Sequence, residues 1–389
     1  MQLNHARDRK RAGLALLLSV LSVWLVVFRC LSIPEETSAP SAEADRTAMA
    51  VDALSRLQGM DLSQNPKLKE AVLRVLEKTR GTANFVKLVR QFKLADQDAG
   101  LLEVAAQNPG KDTGVEAMRL ILANKNLALV GSALEGTNVV TAARIAEALG
   151  NTGQNDAVKL LEPLLSDSHR DLALREQAVR SLARSLAGAN TLLRLAKEEK
   201  LSADLKPAAV SELRKAYWPE IQAQAAALLA SPQNENAEAL PPILELLKRK
   251  GDAANGAKVF SSPKTGCVNC HQIKGQGVDF GPNLSEVGSK LGKDAIYEAI
   301  LNPSAGISFG FEGWQFQLKS GDEAYGLIQS ETADEVAVKA IGGIVTRYKK
   351  SEIERREQLK LSIMPAGLQQ AMTVQELVDL VEYLASLKK

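Results

Sequence analysis

The sequence predicts a mainly helical protein with a small antiparallel β-sheet inserted near its C-terminal end. Through most of residues 45–250, apolar residues recur at the i, i+3, i+4 and i+7 spacing of short amphipathic helices. Only 4% of the residues are aromatic and Ala and Leu dominate, which favours stacked helices over β-sandwiches. Segments in which apolar and polar residues alternate lie between Gly-containing turns, and they predict the sheet. At 389 residues the chain has room for two or three domains.

Residues 1–32 have the pattern of an export segment. A basic stretch that includes Arg7, Arg9 and Arg11 precedes an apolar run over residues 12–28. This run is long for the core of a signal peptide and short for a membrane span, so a cleaved signal peptide and an N-terminal membrane anchor both fit. We favour the anchor, because no Ala-x-Ala site follows directly. The positive-inside rule then places the remainder on the periplasmic side of the cytoplasmic membrane, or free in the periplasm after cleavage.

Residues 33–44 form a Pro/Ser/Glu-rich linker, and residues 45–250 a helical domain. Each predicted helix is short and has one apolar face. The predicted helices are 46–57, 68–78, 82–92, 115–123, 139–149, 156–165, 174–186, 191–198, 207–216, 221–229 and 240–248.

A weak repeat runs through the later helices. The pairs Ile145-x-x-Ala148, Val179-x-x-Leu182 and Val210-x-x-Leu213 recur at intervals of about 30 to 40 residues, each followed by a second amphipathic helix. This pattern resembles HEAT repeats and predicts an α-solenoid, with an irregular helical bundle as the alternative. The helices carry no Cys/His cluster, paired-acid motif or phosphate loop. We therefore expect a docking surface for a partner protein or a spacer.

The chemistry is concentrated in Cys267-Val268-Asn269-Cys270-His271, a C-x-x-C-H sequence of the kind that attaches haem c covalently. Its two thiols can each form a thioether with a vinyl group of one porphyrin. A structural zinc site is disfavoured, because it needs about four ligands and the chain has only three Cys and three His, the others far upstream. A thioredoxin-like redox pair is disfavoured because no βαβ pattern surrounds the motif.

His271 follows the second thiol and is the predicted proximal iron ligand, bound through a neutral ring nitrogen. The other ring nitrogen should donate a hydrogen bond that fixes the orientation of the ring. We expect the backbone carbonyl that accepts it to come from the Gly281-Pro282-Asn283-Leu284 turn, and we count Pro282 among the haem-binding residues.

The second axial ligand is predicted to be Met364. No histidine follows His271, so the candidates are Met364, in a Ser-Ile-Met-Pro-Ala-Gly loop, and Met372, directly before the predicted N-cap of the last helix. The Met364 loop resembles the distal-ligand loop of cytochromes c that bind iron through His and Met. An iron without a second protein ligand, open to small molecules, is the remaining alternative.

Residues 251–389 are the predicted haem domain. The helix over 251–260 resembles the opening helix of class I cytochrome c domains, which packs on the C-terminal helix. The partner helix here would be 374–387, with Gly256 at the close contact and Phe260 and Tyr383 beside it. Between them we predict a helix at 293–301 and strands at 314–319, 324–329, 336–340 and 344–349, as a β insert over about 312–350.

The order of motifs in this domain resembles the haem-binding domain of Planctomycete/Verrucomicrobium type. The shared features are C-x-x-C-H, G-P-N-L at 281–284, N-P-S-x-x-I at 302–307, a strand insert and a late Met364-Pro365. The resemblance implies one haem c. Members often also carry a β-propeller that resembles sugar dehydrogenases. The sequence contains no such segment, so a dehydrogenase activity is not implied.

These observations predict an exported monohaem c-type cytochrome that carries single electrons and has no catalytic residues. Its predicted partners are a periplasmic dehydrogenase as donor, a cytochrome or terminal oxidase as acceptor, and the membrane through residues 1–32. Nucleic acid is not expected, because 48 basic residues are balanced by 46 acidic ones. The alternatives are a haem enzyme or sensor with an open iron site and a helical-repeat scaffold.

Overall fold

The computed structural model describes residues 42–57, 59–60, 62–229 and 239–389. The predicted export segment, 1–32, lies outside these ranges. Within them, no helix has the length and apolar character that crossing a membrane requires. The chain divides into two compact units, residues 1–56 and 57–389. In the first unit the described residues form helix α1, Ala42–Ser55, which begins inside the predicted 33–44 linker.

The first part of the second unit is helical, as predicted. Asn and Ser side chains start several of these helices, because their oxygens accept hydrogen bonds from backbone N–H groups of the first turn. The helices are α2 Pro66–Thr79, α3 Ala83–Phe92, α4 Asp98–Gln107, α5 Asp112–Ala123, α6 Leu127–Leu134, α7 Val139–Thr152, α8 Asn155–Ser166, α9 Leu172–Leu182, α10 Leu186–Lys197, α11 Lys206–Leu213 and α12 Pro219–Leu228.

Two of these helices, α4 and α6, were not predicted. Both contain a glycine and lack a clear polar face, so their periodicity is weak. The predicted helix 174–186 ends earlier, at Leu182, and Ser185 caps the next helix. Residues 240–248 form only the single turn α13, Ile243–Leu246.

The helices pack mainly on near neighbours in the chain. Helix α4 packs on α5, α5 on α7, and α7 on α9, while α8 also packs on α9. Buried Leu, Val, Ile and Ala side chains fill the spaces between them. The HEAT-like solenoid stays a prediction, as does the division of the chain at residue 250.

The remaining helices surround a second core. They are α14 Ala253–Ser261, α15 Val287–Lys290, α16 Lys293–Leu301 and α17 Val374–Ser386. Helices α14 and α17 make the most extensive contact. The close approach predicted at Gly256 is confirmed, because a Cβ there would lie 2.0 Å from the carbonyl oxygen of Asp379. Phe260 and Tyr383 lie beside it with ring centroids 6.1 Å apart. Leu246, from α13, is also buried in this core.

Two antiparallel sheets accompany these helices. A two-residue pairing of β1 Gln272–Ile273 with β2 Gln276–Gly277 follows the C-x-x-C-H sequence. The larger sheet contains β3 Gly313–Leu318, β4 Glu323–Glu331, β5 Glu335–Lys339, β6 Val345–Lys349 and β7 Ile353–Gln358, in the order β6-β5-β4-β3-β7.

The fifth strand of the larger sheet extends the predicted insert beyond residue 350. Strand β7 pairs with β3 at one edge, and all its residues after Ile353 are exposed. Its sequence, Ile-Glu-Arg-Arg-Glu-Gln, has no apolar alternation that could have revealed it. Charged side chains on an exposed edge strand are typical, because they discourage pairing with other chains.

Candidate haem site

The C-x-x-C-H sequence forms one tight turn. Gly266 has a left-handed backbone (φ 68°) and precedes a short 3-10 helix, Cys267–Asn269. The carbonyl oxygen of Cys267 then accepts hydrogen bonds from the backbone N–H groups of Cys270, at 3.1 Å, and His271, at 2.9 Å. Both thiols and the imidazole are thereby held on a single turn of backbone.

Helix α14 anchors this turn from the N-terminal side. Asp252 caps the helix by accepting a hydrogen bond from the N–H of Ala254 at 2.8 Å. At its other end, the buried hydroxyl of Thr265 donates to the carbonyl oxygen of Val259 at 2.5 Å. The turn is thus tied to the helix that packs against α17.

The imidazole of His271 is oriented by one hydrogen bond. Its Nδ1 lies 2.8 Å from the carbonyl oxygen of Pro282. Because a carbonyl oxygen can only accept, Nδ1 carries the proton and Nε2 keeps its lone pair. The bond expected from the 281–284 turn is therefore present. Burial lowers the pKa of His271, although the bond to Pro282 opposes this shift. A neutral ring with a free Nε2 is the form that binds iron.

Gly281 lies directly against this ring. A Cβ at Gly281 would be 2.6 Å from Cε1 and 2.9 Å from Nδ1 of His271, closer than carbon atoms pack without displacement. The N–H of Gly281 also donates to the carbonyl oxygen of Cys270 at 2.6 Å. The sequence placed Gly281 in a shared motif but did not reveal this role, since only the folded loop brings it to the imidazole.

Backbone hydrogen bonds close the loop between the C-x-x-C-H turn and Leu284. The N–H of Val278 donates to the carbonyl oxygen of Val268 at 3.0 Å, and that of Phe280 to Cys270 at 3.1 Å. The N–H of Leu284 donates to Gln272 at 2.9 Å. Because these three bonds join main-chain atoms, the loop geometry depends little on the side chains between them.

Both thiols are free and partly buried. Burial raises the pKa of Cys267, and together with the neighbouring Cys267 it raises the pKa of Cys270 to about 11. A redox-active pair or a zinc-thiolate site needs the opposite shift, because thiolate is the reactive and ligating form. Among the described residues, no group of three or more Cys, His, Asp or Glu is arranged as a metal site. The environment suits uncharged sulfur, as in a thioether.

Met364 and Met372 both lie at the border of the core that also receives Cys267. Met364 belongs to a loop whose neighbouring residue, Ile363, is buried against Phe280, in a cluster that Cys270 also contacts. Met372 precedes Thr373, which forms a capping box with Glu376 at the start of α17. The structure thus joins the Met364 loop to the Cys270 side of the site.

Comparison with known protein families bears on this site. Residues 253–337 match the family model described as Cytochrome c. A cytochrome c domain is therefore present. No curated protein matches the chain. The matched part of the cytochrome c domain begins at α14 and ends within β5, so Met364 and α17 lie beyond it.

The residues of the cytochrome c domain fit a covalent haem c. Two free thiols lie on the same turn as an imidazole whose Nε2 is available, and Gly281 leaves the ring the space it needs. Partly buried apolar side chains border the same core, among them Val268, Leu284 and the two methionines. A haem-binding electron-transfer protein is the function that this domain supports.

Proposed function

We propose that the protein is an exported monohaem c-type cytochrome that passes single electrons between proteins. The observation that carries this proposal is the hydrogen bond from Nδ1 of His271 to Pro282, on the same turn as two free thiols. This arrangement orients the ring for iron and leaves both cysteines available for thioethers. When bound, haem c supplies a one-electron iron couple.

In this proposal each residue of the site has one task. Cys267 and Cys270 hold the haem covalently, and His271 binds its iron through Nε2. Pro282 orients the ring through its carbonyl oxygen. Met364 is the second ligand, which is supported by the contact of the neighbouring Ile363 with the cluster beside Cys270. A thioether sulfur as second ligand favours a high reduction potential and fills the site that a small molecule would otherwise use.

Export and partners rest on the sequence. The basic and apolar segment over residues 1–32 supports a location on the periplasmic side of the cytoplasmic membrane, either anchored there or free after cleavage. Haem attachment to C-x-x-C-H outside the bacterial cytoplasm agrees with that direction. We propose a periplasmic dehydrogenase as electron donor and a cytochrome or terminal oxidase as acceptor.

Optical spectra of the full chain test the proposal. The protein is expressed in a host with the cytochrome c maturation machinery, and non-covalent haem is extracted under denaturing conditions. We expect a reduced α-band at the c-type position to survive extraction, with one haem per chain, and the native oxidised protein to show the far-red sulfur-to-iron band. Loss of all haem on extraction would refute covalent attachment. Retained haem without the sulfur band would favour the open-iron enzyme or sensor.

A further inference from the structure

The connection between α11 and α12 carries two adjacent aromatic residues, Tyr217 and Trp218. Trp218 is buried and its ring meets Tyr325 of strand β4 edge to face, with centroids 5.0 Å apart. Tyr217 stacks on the same Tyr325 at 6.3 Å with the planes inclined by 10°. The last helices before the haem domain are therefore attached to its sheet by an aromatic group.

Tyr217 also reaches the haem site. It packs against the buried cluster of Phe280, Leu327 and Ile363, which Cys270 contacts as well. Burial raises the pKa of Tyr217 well above its ordinary value, and the nearby Cys270 adds to this rise. One side chain from the helical region thus contacts the same buried cluster as Cys270, and this cluster includes Phe280, whose N–H bonds to the carbonyl oxygen of Cys270.

Hydrogen bonds farther along the same interface hold the two parts together without touching the site. Arg119 donates to the hydroxyl of Tyr348 at 2.8 Å, and its guanidinium lies over that ring. The backbone N–H of Asn155 donates to the carboxylate of Asp322, and its side-chain amide donates to the carbonyl oxygen of Gly321, both at 2.9 Å. These contacts provide variants that loosen the interface at a distance from Cys270.

We infer that Tyr217 forms part of the wall of the haem site, so that the helical region shields the Cys270 side of the haem from water. This inference rests on the proposed haem attachment. A spacer would not need to place a side chain there. Excluding water disfavours the more highly charged ferric state relative to the ferrous state, because burying a charge costs free energy. By excluding water from the haem, Tyr217 would raise the reduction potential.

The test compares Tyr217→Ala with Asn155→Ala in the full haem-loaded chain. At a fixed solution potential, Tyr217→Ala should lower the ferrous-to-ferric ratio about tenfold. In a potentiometric titration this appears as a reduction potential that is lower by about 59 mV, since one electron is transferred. Asn155→Ala should leave the potential unchanged, and Tyr217→Phe, which keeps the ring, should stay close to wild type. Equal shifts in Tyr217→Ala and Asn155→Ala, or no shift in either, would overturn the inference.

Hydrogen exchange adds a readout independent of the haem iron. In Tyr217→Ala, the amides of Val278 and Phe280 should exchange faster than in wild type, while Asn155→Ala should leave them unchanged. If Tyr217→Ala does not fold, Tyr217→Leu takes its place, because it keeps apolar volume but loses the stacked ring. Absence of covalent haem in the wild-type chain contradicts the proposed function itself. Covalent haem with unchanged potentials and exchange contradicts only the role of Tyr217.

Discussion

The loop that holds His271 and the loop that holds Met364 are built differently. On the His271 side, the loop from the attachment turn to Leu284 is closed by hydrogen bonds between main-chain atoms, and Gly281 touches the ring. On the Met364 side, side-chain hydroxyls accept the hydrogen bonds that hold the loop. The hydroxyl of Ser304 accepts from the N–H of Ser362 at 3.0 Å, and the hydroxyl of Ser362 accepts from the N–H of Met364 at 3.1 Å. The His271 side is therefore sensitive mainly to a change at Gly281, while the Met364 side depends on the hydroxyls of Ser304 and Ser362.

The largest effect should follow from His271→Ala. This substitution removes the proposed proximal ligand, the imidazole that the carbonyl oxygen of Pro282 orients. We therefore expect loss of the normal low-spin spectrum even where the thioethers form. Optical spectra of the purified protein, normalised to covalent haem, measure this. An unchanged spectrum would contradict the assignment of His271.

Gly281→Ala should come next, because its Cβ must push the imidazole aside. Overpacking of this kind costs about 1–3 kcal/mol in free energy of unfolding, and the spectrum should show altered iron ligation. Gly306→Ala is the matched control, since a Cβ there has no neighbour within 4 Å. The control should change stability by less than about 0.5 kcal/mol. Equal behaviour of the two variants would show that the ring does not need this glycine.

Met364→Ala should abolish the far-red sulfur-to-iron band and lower the reduction potential, while the covalent haem remains. Met372→Ala is the matched control on the other side of the same loop, and the band should persist in it. If Met372→Ala removes the band and Met364→Ala keeps it, the distal ligand is Met372.

Asp379 joins α14, which precedes the C-x-x-C-H turn, to α17, which follows the Met364 loop. It is buried and accepts hydrogen bonds from the N–H of Asp252 at 2.8 Å, from Asn255 at 2.7 Å and from Gln375 at 2.8 Å. Burial by itself would raise the pKa of Asp379, but the hydrogen bonds from these three residues bring it below its ordinary value.

Because the folded pKa is depressed, the carboxylate of Asp379 stabilises the fold fully above its unfolded pKa of about 3.9. This stabilisation is lost as the pH falls through the lower folded value. At neutral pH we expect Asp379→Ala to reduce the free energy of unfolding by about 3 kcal/mol. Denaturant titrations at several pH values measure the difference, which should shrink below about pH 4. A difference independent of pH would contradict a charged Asp379.

Ser304→Ala should have the smallest effect. It removes the acceptor of the Ser362 N–H, an exposed bond worth about 1 kcal/mol. The expected result is a slightly weaker sulfur-to-iron band on heating, with the proximal side unaffected. Temperature-dependent spectra measure this, with Ser320→Ala, in an exposed turn of the sheet, as control. If Ser304→Ala also changed the environment of His271, the two loops would not be independent.

Local sequence predicted much of this domain. The bounds of α16 were predicted at 293–301, and the α14–α17 contact at Gly256 was expected from the resemblance to class I cytochrome c domains. The interaction between His271 and the 281–284 turn was predictable because a metal-binding histidine needs a second hydrogen bond. Strand β7 escaped prediction because its exposed, charged side chains carry no alternation, and α6 because it is apolar on every face.

The sequence by itself determined the candidate chemistry. The C-x-x-C-H residues lie within one turn of backbone, so residues close in the chain set the geometry of the two thiols and the imidazole. Periodicity likewise determined most of the helices. The tertiary structure alone decided that Gly281 lies against the ring of His271, that Leu246 enters the haem-domain core, and that Tyr217 reaches the cluster beside Cys270. These contacts join residues far apart in the chain, and no local pattern specifies which distant surfaces will meet when the chain buries its apolar side chains.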